Sequence, residues 1–287
     1  MDGIINIYKP AGMTSHDVVN RVRRIAGTKK VGHTGTLDPD AEGVLPICIN
    51  RGTKVADMLT VSDKRYTATF MLGITTDTLD ISGEVLKEQP VNVSEEQIIQ
   101  AIKSFEGKIQ QIPPMYSAIK VGGRKLCDLA RKGIEIERKP RDVEIYEINI
   151  LDVKDKYFTI DVKCSKGTYI RTLGNDIGQV LGCGATMTKL IRTQSSVFEI
   201  GNSVKLEDLT SENYANYVIS PDELFDCDKI TVTGDILSKV LNGNAIPYNG
   251  TEGVEYKVYD DEDRFLCLSR MDDGMLKVVK MFYVGEF

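Results

Sequence analysis

The chain has 287 residues, 41% of them apolar and 27% charged, which is typical of a globular protein with one large domain or a large and a small one. No apolar run approaches the roughly 20 residues of a membrane span, the N-terminus lacks a signal-peptide pattern, and six scattered cysteines form no Cys-x-x-Cys, so we expect a cytoplasmic protein with reduced thiols. The net charge of −6, taken alone, argues against a polyanionic partner.

The first two thirds of the chain mix helices and strands without a regular alternation. Capping boxes at Thr14/Asp17 and Ser94/Gln97 mark two helix starts. The apolar periodicity predicts, in chain order, a helix over 16–26, a strand over 66–72, a helix over 95–106, a short basic helix over 126–132, paired strands over 143–153 and 157–164, and a helix over 169–181.

After about residue 228 the pattern changes to short strands separated by Asp/Gly turns. We predict one helix at 235–241 and strands at 256–259, 264–269 and 276–284, which together indicate a small β-rich, barrel-like unit. The fold class is therefore α+β: a mixed, mainly antiparallel sheet with flanking helices, followed by a small C-terminal β-rich barrel. The expected domains are 1–228 and 229–287.

The most informative segment runs from Gly32 to Pro46. Its turn-forming residues are Gly32, Gly35, Pro39 and Gly43. Glycine permits left-handed backbone, and proline interrupts helices and central strands. We therefore expect a shaped loop that presents Asp38, although a carboxylate in a loop is commonly only a turn or cap residue.

Positive charge is concentrated in two segments despite the negative total. Eight basic residues lie between Lys120 and Arg141, and a second basic group, residues 21–30, precedes the Asp38 loop. Acidic residues gather instead in 207–228 and 252–263. This asymmetry is compatible with nucleic-acid binding on one face, and equally with a solvated surface.

Several common chemistries lack their residues in this sequence. Only two histidines, His16 and His33, are present and no cysteines lie close together, so a His/Cys zinc site is not expected. The stretch 27–34 is one residue away from a phosphate-binding loop, but His33 stands where its lysine must be. No nucleophile elbow is present. The remaining candidates are a carboxylate, tyrosines and arginine, acting without cofactor or metal.

Five segments, in order, carry a recognisable pattern over about residues 3–200. They are Gly3-Ile-Ile-Asn-Ile-Tyr-Lys-Pro10 with Gly12-Met-Thr-Ser15, Gly32 to Pro46, Asp63-Lys-Arg-Tyr66 with residues 73–83, Pro113-Pro-Met-Tyr-Ser-Ala-Ile-Lys120 through Arg141, and Lys166-Gly-Thr-Tyr-Ile-Arg-Thr-Leu173. Together these segments resemble the TruB family of tRNA pseudouridine synthases, and a vaguer similarity to a PUA-type RNA-binding domain follows around residues 241–243. One difference is Cys127, which stands where the family pattern leads us to expect Tyr.

The resemblance implies a catalytic role for Asp38. This carboxylate would act as nucleophile at the sugar or base, or as base at the 2′ position, and the sequence does not choose among these. Arg171 would form an ion pair that keeps Asp38 ionised in a dry pocket, with Asp80 as its second partner. The alternative for Arg171 is that it is a solvent-exposed charge on the surface of a helix, without a role in the site.

Other roles follow from the same resemblance. Tyr66 would stack on the target uracil and take or relay the C5 proton, and Tyr169 and Leu190 would line the same pocket, with ordinary core packing as their alternative. His33 would fill the space left when the base flips out, as a neutral stacking ring. We call the segment of about 113–141 the thumb. Lys64 and the basic residues of the thumb would contact phosphates of the RNA backbone.

The implied activity is isomerisation of uridine 55 in the T-arm loop of tRNA, by a monomer that needs no obligate protein partner and does not bind membranes. A role as a tRNA folding chaperone is compatible with the same surface. Two other classes stay open at this point. A non-catalytic RNA-binding protein could use that surface, and a glycosidic-bond hydrolase would need a second carboxylate such as Asp40 or Glu42 to activate water.

Overall fold

The computed structural model describes residues 1–283, with Lys125 described by its backbone alone. It contains six α-helices, with five short 3₁₀ turns at 50–55, 200–202, 206–208, 214–217 and 221–224, within those residues. The helices are α1 Ser15–Ile25, α2 Ala56–Thr60, α3 Glu95–Lys103, α4 Leu126–Ala130, α5 Ile170–Val180 and α6 Gly234–Leu241. The strands are β1 Gly3–Lys9, β2 Val31–His33, β3 Glu42–Ile49, β4 Lys64–Leu72, β5 Ile74–Thr76, β6 Val85–Glu88, β7 Gly107–Gln111, β8 Lys120–Val121, β9 Arg124–Lys125, β10 Arg141–Lys154, β11 Tyr157–Cys164, β12 Ala185–Ser195, β13 Phe198–Glu199, β14 Val204–Lys205, β15 Lys229–Thr231, β16 Ile246–Pro247, β17 Glu255–Tyr259, β18 Phe265–Asp272 and β19 Met275–Met281.

A ten-stranded sheet forms the body of the molecule. Its order is β14-β1-β3-β12-β4-β11-β10-β7, with β2 on β3 and β13 on β12. Among the described strands of this sheet, only the β1/β14 and β3/β12 pairs are parallel. The predicted α+β class with a mainly antiparallel sheet is confirmed, and both predicted capping boxes are present, on α1 and α3.

Helix α5 lies close against this sheet because two of its residues are glycines. Ile170, Leu173 and Ile177 bury its apolar side. A Cβ on Gly174 would lie 2.0 Å from the Phe70 ring, and one on Gly178 would lie 2.2 Å from the backbone of Ala185. This close approach sets the position of Arg171, which is in the first turn of α5.

The C-terminal residues form a second sheet of order β15-β17-β18-β19-β16 with α6 beside it. The strand predicted over 276–284 is Met275–Met281, and residue 284 is outside the described part of the chain. A separate apolar cluster, to which Leu268 and Phe282 contribute, joins this sheet to Val44 and Cys48 of the main body. No helix within residues 1–283 is long and apolar enough to cross a membrane.

Candidate active site

A cleft of about 770 Å³ opens where three segments meet. These segments are the loop 34–41 between β2 and β3, the turn 77–84 between β5 and β6, and the base of the thumb at 116–118. The strand β12 and the start of α5 complete its walls. The lining includes His16, His33, Asp38, Asp40, Asp80, Ile81, Ser117, Cys127, Arg131, Arg171, Met187 and Leu190.

Asp38 and Arg171 form an ion pair in this cleft, as the sequence predicts. Arg171 Nε lies 3.0 Å from Asp38 Oδ2, and its Nη1 lies 3.4 Å from Asp80 Oδ2. Arg171 is only 5% exposed, whereas the Asp38 side chain is 38% exposed. Burial raises the pKa of the Asp38 carboxyl above its ordinary value, and the charge of Arg171 opposes that rise.

The remaining donors of Arg171 tie the ion pair to the neighbouring segments. Nη1 donates to the Thr78 carbonyl at 2.9 Å, and Nη2 donates to the Tyr116 carbonyl at 2.8 Å. Asp80 is held in turn, because its Oδ1 accepts from the Thr78 hydroxyl at 2.8 Å and the Ser82 hydroxyl at 2.5 Å. One guanidinium therefore connects the Asp38 loop, the 77–84 turn and the base of the thumb.

His33 lies at the end of β2 and lines the cleft half-buried. Its Nδ1 accepts a hydrogen bond from the Gly35 amide at 3.3 Å, which requires an unprotonated nitrogen there. Burial lowers the pKa of the imidazole, and the charges of Arg192 and His16 lower it further. The ring is therefore favoured in its neutral form.

Tyr66 and Tyr169 lie beside the cleft without being among the residues that line it. Tyr66 is 9% exposed on β4, opposite Arg192 of β12, and burial raises the pKa of its phenol. Tyr169 precedes α5, where its backbone N–H donates to Gln111 Oε1 at 2.9 Å. Burial also raises the Tyr169 pKa. Leu190 is 7% exposed and does line the cleft.

Lys64 is the predicted site residue whose surroundings differ most from expectation. It is 8% exposed and its ammonium donates to the carbonyls of Thr60, at 2.8 Å, and Ser62. Burial lowers its pKa to about 8. Lys64 is not among the residues that line the cleft, because its position on β4 is buried and its ammonium is bound by the carbonyls of Thr60 and Ser62.

Two buried cations that the sequence reasoning did not select hold the Asp38 loop. Lys9 is fully buried at the end of β1, and its ammonium donates to the carbonyls of Pro10, Met13 and Pro39 at 2.8, 2.7 and 2.9 Å. Burial lowers the pKa of Lys9 to about 8. Arg192, 1% exposed, donates to loop carbonyls from β12. Lys9 ends the strand β1, which is apolar apart from Asn6, and Arg192 lies two residues after the buried Leu190 on β12. Neither local sequence marks the cation itself as buried.

The thumb is mostly exposed and basic. Lys120, Arg124, Arg131, Lys132, Lys139 and Arg141 are all exposed. Cys127 is half-buried, and its Sγ lies 3.8 Å from Asp128 Oδ1 at the cleft wall. The thumb therefore brings positive charge to the edge of the cleft that contains Asp38.

The residues with metal-ligand spacing lie elsewhere. Within residues 1–283, Glu252, Asp272 and Asp273 are the carboxylates that come close enough to share an ion, and all are exposed on the C-terminal sheet. Lys277 already contacts Asp272 at 2.6 Å. Of the two carboxylates that a hydrolase could use, Asp40 lines the cleft, whereas Glu42 accepts a hydrogen bond from the Tyr8 hydroxyl at 2.7 Å.

Comparisons with known proteins agree on one family. Residues 23–170 match the model of the TruB family pseudouridylate synthase N-terminal domain, and residues 171–227 match that of the tRNA pseudouridylate synthase B C-terminal domain. The chain is 48% identical over 288 residues to tRNA pseudouridine synthase B of Clostridium kluyveri, covering 98% of this chain and 100% of that one. It is 51% identical over 251 residues to the protein of that name from Alkaliphilus oremlandii, covering 87% and 84%.

Two solved structures contain chains that are similar to this one at lower identity. A Cbf5-Nop10-Gar1 complex contains a chain that is 28% identical, with a TM-score of 0.72 over 98% of this chain and 85% of that one. An H/ACA RNP bound to a substrate RNA containing 2′-deoxyuridine contains one that is 27% identical, with a TM-score of 0.70 over 98% and 85%.

Proposed function

Because the chain belongs to the TruB family of tRNA pseudouridine synthases, we propose that it isomerises the uridine at position 55, in the T-arm loop of tRNA, with Asp38 as its catalytic carboxylate. In this reaction the N1–C1′ bond breaks, the uracil rotates, and a C5–C1′ bond forms. C5 loses a proton and N1 gains one. Substrate and product are isomers, so no oxidant, reductant or water is consumed.

The observation that carries the proposal is the ion pair between Asp38 and Arg171 in the cleft. Asp38 acts in ionised form, as nucleophile at the sugar or the uracil, or as base at the 2′ position. Arg171 favours that ionised form against the effect of burial. Asp80 orients Arg171 from the opposite side of the guanidinium.

The base has to leave the RNA stack before Asp38 can reach it. His33 fills the vacated space as a neutral ring, in agreement with its lowered pKa and its accepting Nδ1. Tyr66 stacks on the uracil and relays the C5 proton, and its high pKa keeps the phenol protonated at neutral pH. Leu190 and Tyr169 pack around the base; the burial of Leu190 at the cleft wall supports this role.

RNA binding rests on the thumb. Its exposed lysines and arginines neutralise backbone phosphates, which supplies most of the affinity and makes it salt-dependent. Lys64 contributes indirectly, because its ammonium binds the Thr60 carbonyl while the Thr60 hydroxyl donates to the Thr34 carbonyl at 3.0 Å. The protein works as a monomer with a catalytic domain over 1–228 and a PUA-like unit over 229–287, which sedimentation analysis of the free protein would test.

A chaperone function is supported by basic residues of the thumb, such as Lys132 and Lys139, that are exposed and do not line the cleft of Asp38. The exposed basic residues of the thumb can bind and release tRNA whether or not Asp38 reacts. An Asp38→Asn variant that still accelerates folding of a misfolded tRNA transcript would support this function, and one that gives no acceleration above an unrelated basic protein would exclude it.

The direct test of the activity uses an unmodified tRNA transcript. After incubation without cofactor, carbodiimide treatment and primer extension should show one new stop, the one that an adduct on position 55 produces one nucleotide to its 3′ side. A transcript with cytidine at position 55 should show none. A stop at other positions only would reject the assigned uridine, and no stop with any transcript would reject the activity.

A further inference from the structure

Arg192 is a buried cation without an acidic partner. It is the largest of the fully buried side chains, at 1% exposed. Within residues 1–283 no carboxylate forms an ion pair with it. Burying a charge is costly unless its hydrogen-bond donors are satisfied. The groups that accept hydrogen bonds from Arg192 therefore show which part of the structure the buried guanidinium stabilises.

Three hydrogen bonds of the guanidinium go to the two ends of the Asp38 loop. Nε donates to the Val44 carbonyl at 2.7 Å, just after the loop. Nη2 donates to the Gly35 carbonyl at 3.1 Å, and Nη1 reaches the Thr36 carbonyl at 3.5 Å, just before Asp38. The planar guanidinium reaches both ends at once with donors in a fixed, forked arrangement, a geometry that a lysine ammonium does not reproduce.

The backbone of Arg192 fixes the same loop a second time. Arg192 pairs with Gly43 in the parallel β3/β12 contact. Gly43 has φ +102°, and a Cβ there would lie 2.2 Å from the Arg192 carbonyl oxygen. Only glycine allows the chain leaving the loop to come this close to β12. The path of the chain from the Asp38 loop into β3 therefore depends on the position of Arg192.

We propose that Arg192 is a positioning residue for the reaction: it holds the loop that presents Asp38 in its reactive position and supplies a fixed positive charge close to His33 and Tyr66. This inference rests on the proposed function of the cleft. Asp38 itself does not contact Arg192, so the effect is exerted through Gly35, Thr36 and Val44.

The charge of Arg192 acts on four neighbours. Burial is the main cause of the lowered pKa of His33, and the charge of Arg192 lowers that pKa further. Lys9 and Lys64 show the same pattern: burial lowers the pKa of each ammonium most, and the charge of Arg192 adds to the effect. In Tyr66, where burial raises the pKa, Arg192 opposes that rise. His16 also acts on His33, and it lowers the pKa of the His33 imidazole in the same direction as Arg192.

The experiment compares Arg192→Lys, which keeps the charge but not the fork, with Arg192→Met, which removes both. Arg270→Lys is the matched control, because Arg270 is exposed on β18 and paired with Glu255 at 2.6 Å. Two readouts are taken in each variant: the single-turnover rate at saturating tRNA, and the NMR titration of the histidine ring protons. The chain has only two histidines, so His33 is assigned by a His16→Gln variant.

We expect Arg192→Lys to lower the saturated rate, with tRNA affinity and the His33 titration unchanged. Arg192→Met should lower the rate by about 10²-fold, the cost of a displaced reactive group, and should also move the His33 titration to higher pH. A role limited to stability would lower the melting temperature of both variants without a change in the saturated rate of the folded protein. That result, or a His33 titration in Arg192→Met equal to wild type, would overturn the proposal.

The two proposals fail in different ways. If wild-type protein forms no pseudouridine, the proposed function is wrong, while the histidine titration still tests the charge beneath the loop. If wild type is active and Arg192→Lys matches it in rate, the proposed function stands and the positioning role is wrong.

Discussion

Replacing Arg171 by Met should displace the acid limb of the pH–rate profile to higher pH. In the proposed reaction Asp38 acts as a carboxylate, so activity should be lost as pH falls through its pKa. Burial already raises that pKa and Arg171 opposes the rise. Without the positive charge of Arg171, the pKa of the Asp38 carboxyl rises further. A larger fraction of Asp38 is then protonated, and inactive, at a given acidic pH.

The size of the displacement follows from the contact. An arginine next to an aspartate lowers the carboxyl pKa by about 1–3 units. The Arg171 Nε to Asp38 Oδ2 distance is 3.0 Å, but the Asp38 side chain is 38% exposed, so water screens the pair. We therefore expect the lower end of that range, about one pH unit. The plateau rate should also fall about 10²-fold, because Arg171 holds the carbonyls of Thr78 and Tyr116 around the cleft.

Arg171→Lys is the matched control, since it keeps the positive charge and loses the multiple hydrogen bonds. It should lower the plateau while leaving the acid limb close to its wild-type position. The measurement is the single-turnover rate at saturating tRNA between acidic and neutral pH, with thermal unfolding at each pH to confirm that the variants remain folded. An acid limb that does not move in Arg171→Met would refute the electrostatic role of Arg171.

Three further predictions concern RNA binding, base flipping and cofactors. Replacing Arg124, Arg131 and Lys132 together by Gln should weaken tRNA binding and reduce the slope of log affinity against log salt by about 0.7–0.9 per lost phosphate contact; an unchanged slope would mean that the thumb is only a solvated surface. His33→Ala should slow the reaction on the intact T-arm hairpin and approach wild type on a hairpin opened by mismatches, with His33→Phe less impaired than Ala, because flipping costs least for an unstacked base. Equal impairment of both variants on both substrates would exclude the stacking role. Turnover should persist in excess chelator once the tRNA is folded, and a strict need for zinc would contradict this chemistry.

The helices were the most predictable part of the fold. Those at 16–26 and 95–106 have side-chain caps and an apolar face, two local signals that coincide, and both appear in the structure. The central strand β12 was not predicted. It carries Lys189 and Arg192 and pairs with β4 through two register shifts, so neither an apolar run nor a regular alternation marks it. Its place in the sheet depends on long-range pairing that a local pattern does not contain.

The residues of the candidate site were likewise only partly predictable from the sequence. Asp38, Asp80 and Arg171 are far apart in sequence, and the resemblance to a family brought them together before any distance was known. Lys9, Lys64 and Arg192 show what was missing. A lysine or arginine in a sequence is read as a surface charge, and only the packing of β1, β4 and β12 reveals that these three are buried with carbonyl partners.

The most direct test of the central claim, that Asp38 performs the isomerisation in this cleft, is tritium release from tRNA labelled at C5 of its uridines. Forming the C5–C1′ bond expels the label from the reacting base. Wild-type protein should release tritium equivalent to one uridine per tRNA, whereas Asp38→Asn should bind the same tRNA with unchanged affinity and release label at least ~10²-fold more slowly. Release by Asp38→Asn within about tenfold of the wild-type rate would contradict the assignment and remove Asp38 from the chemistry.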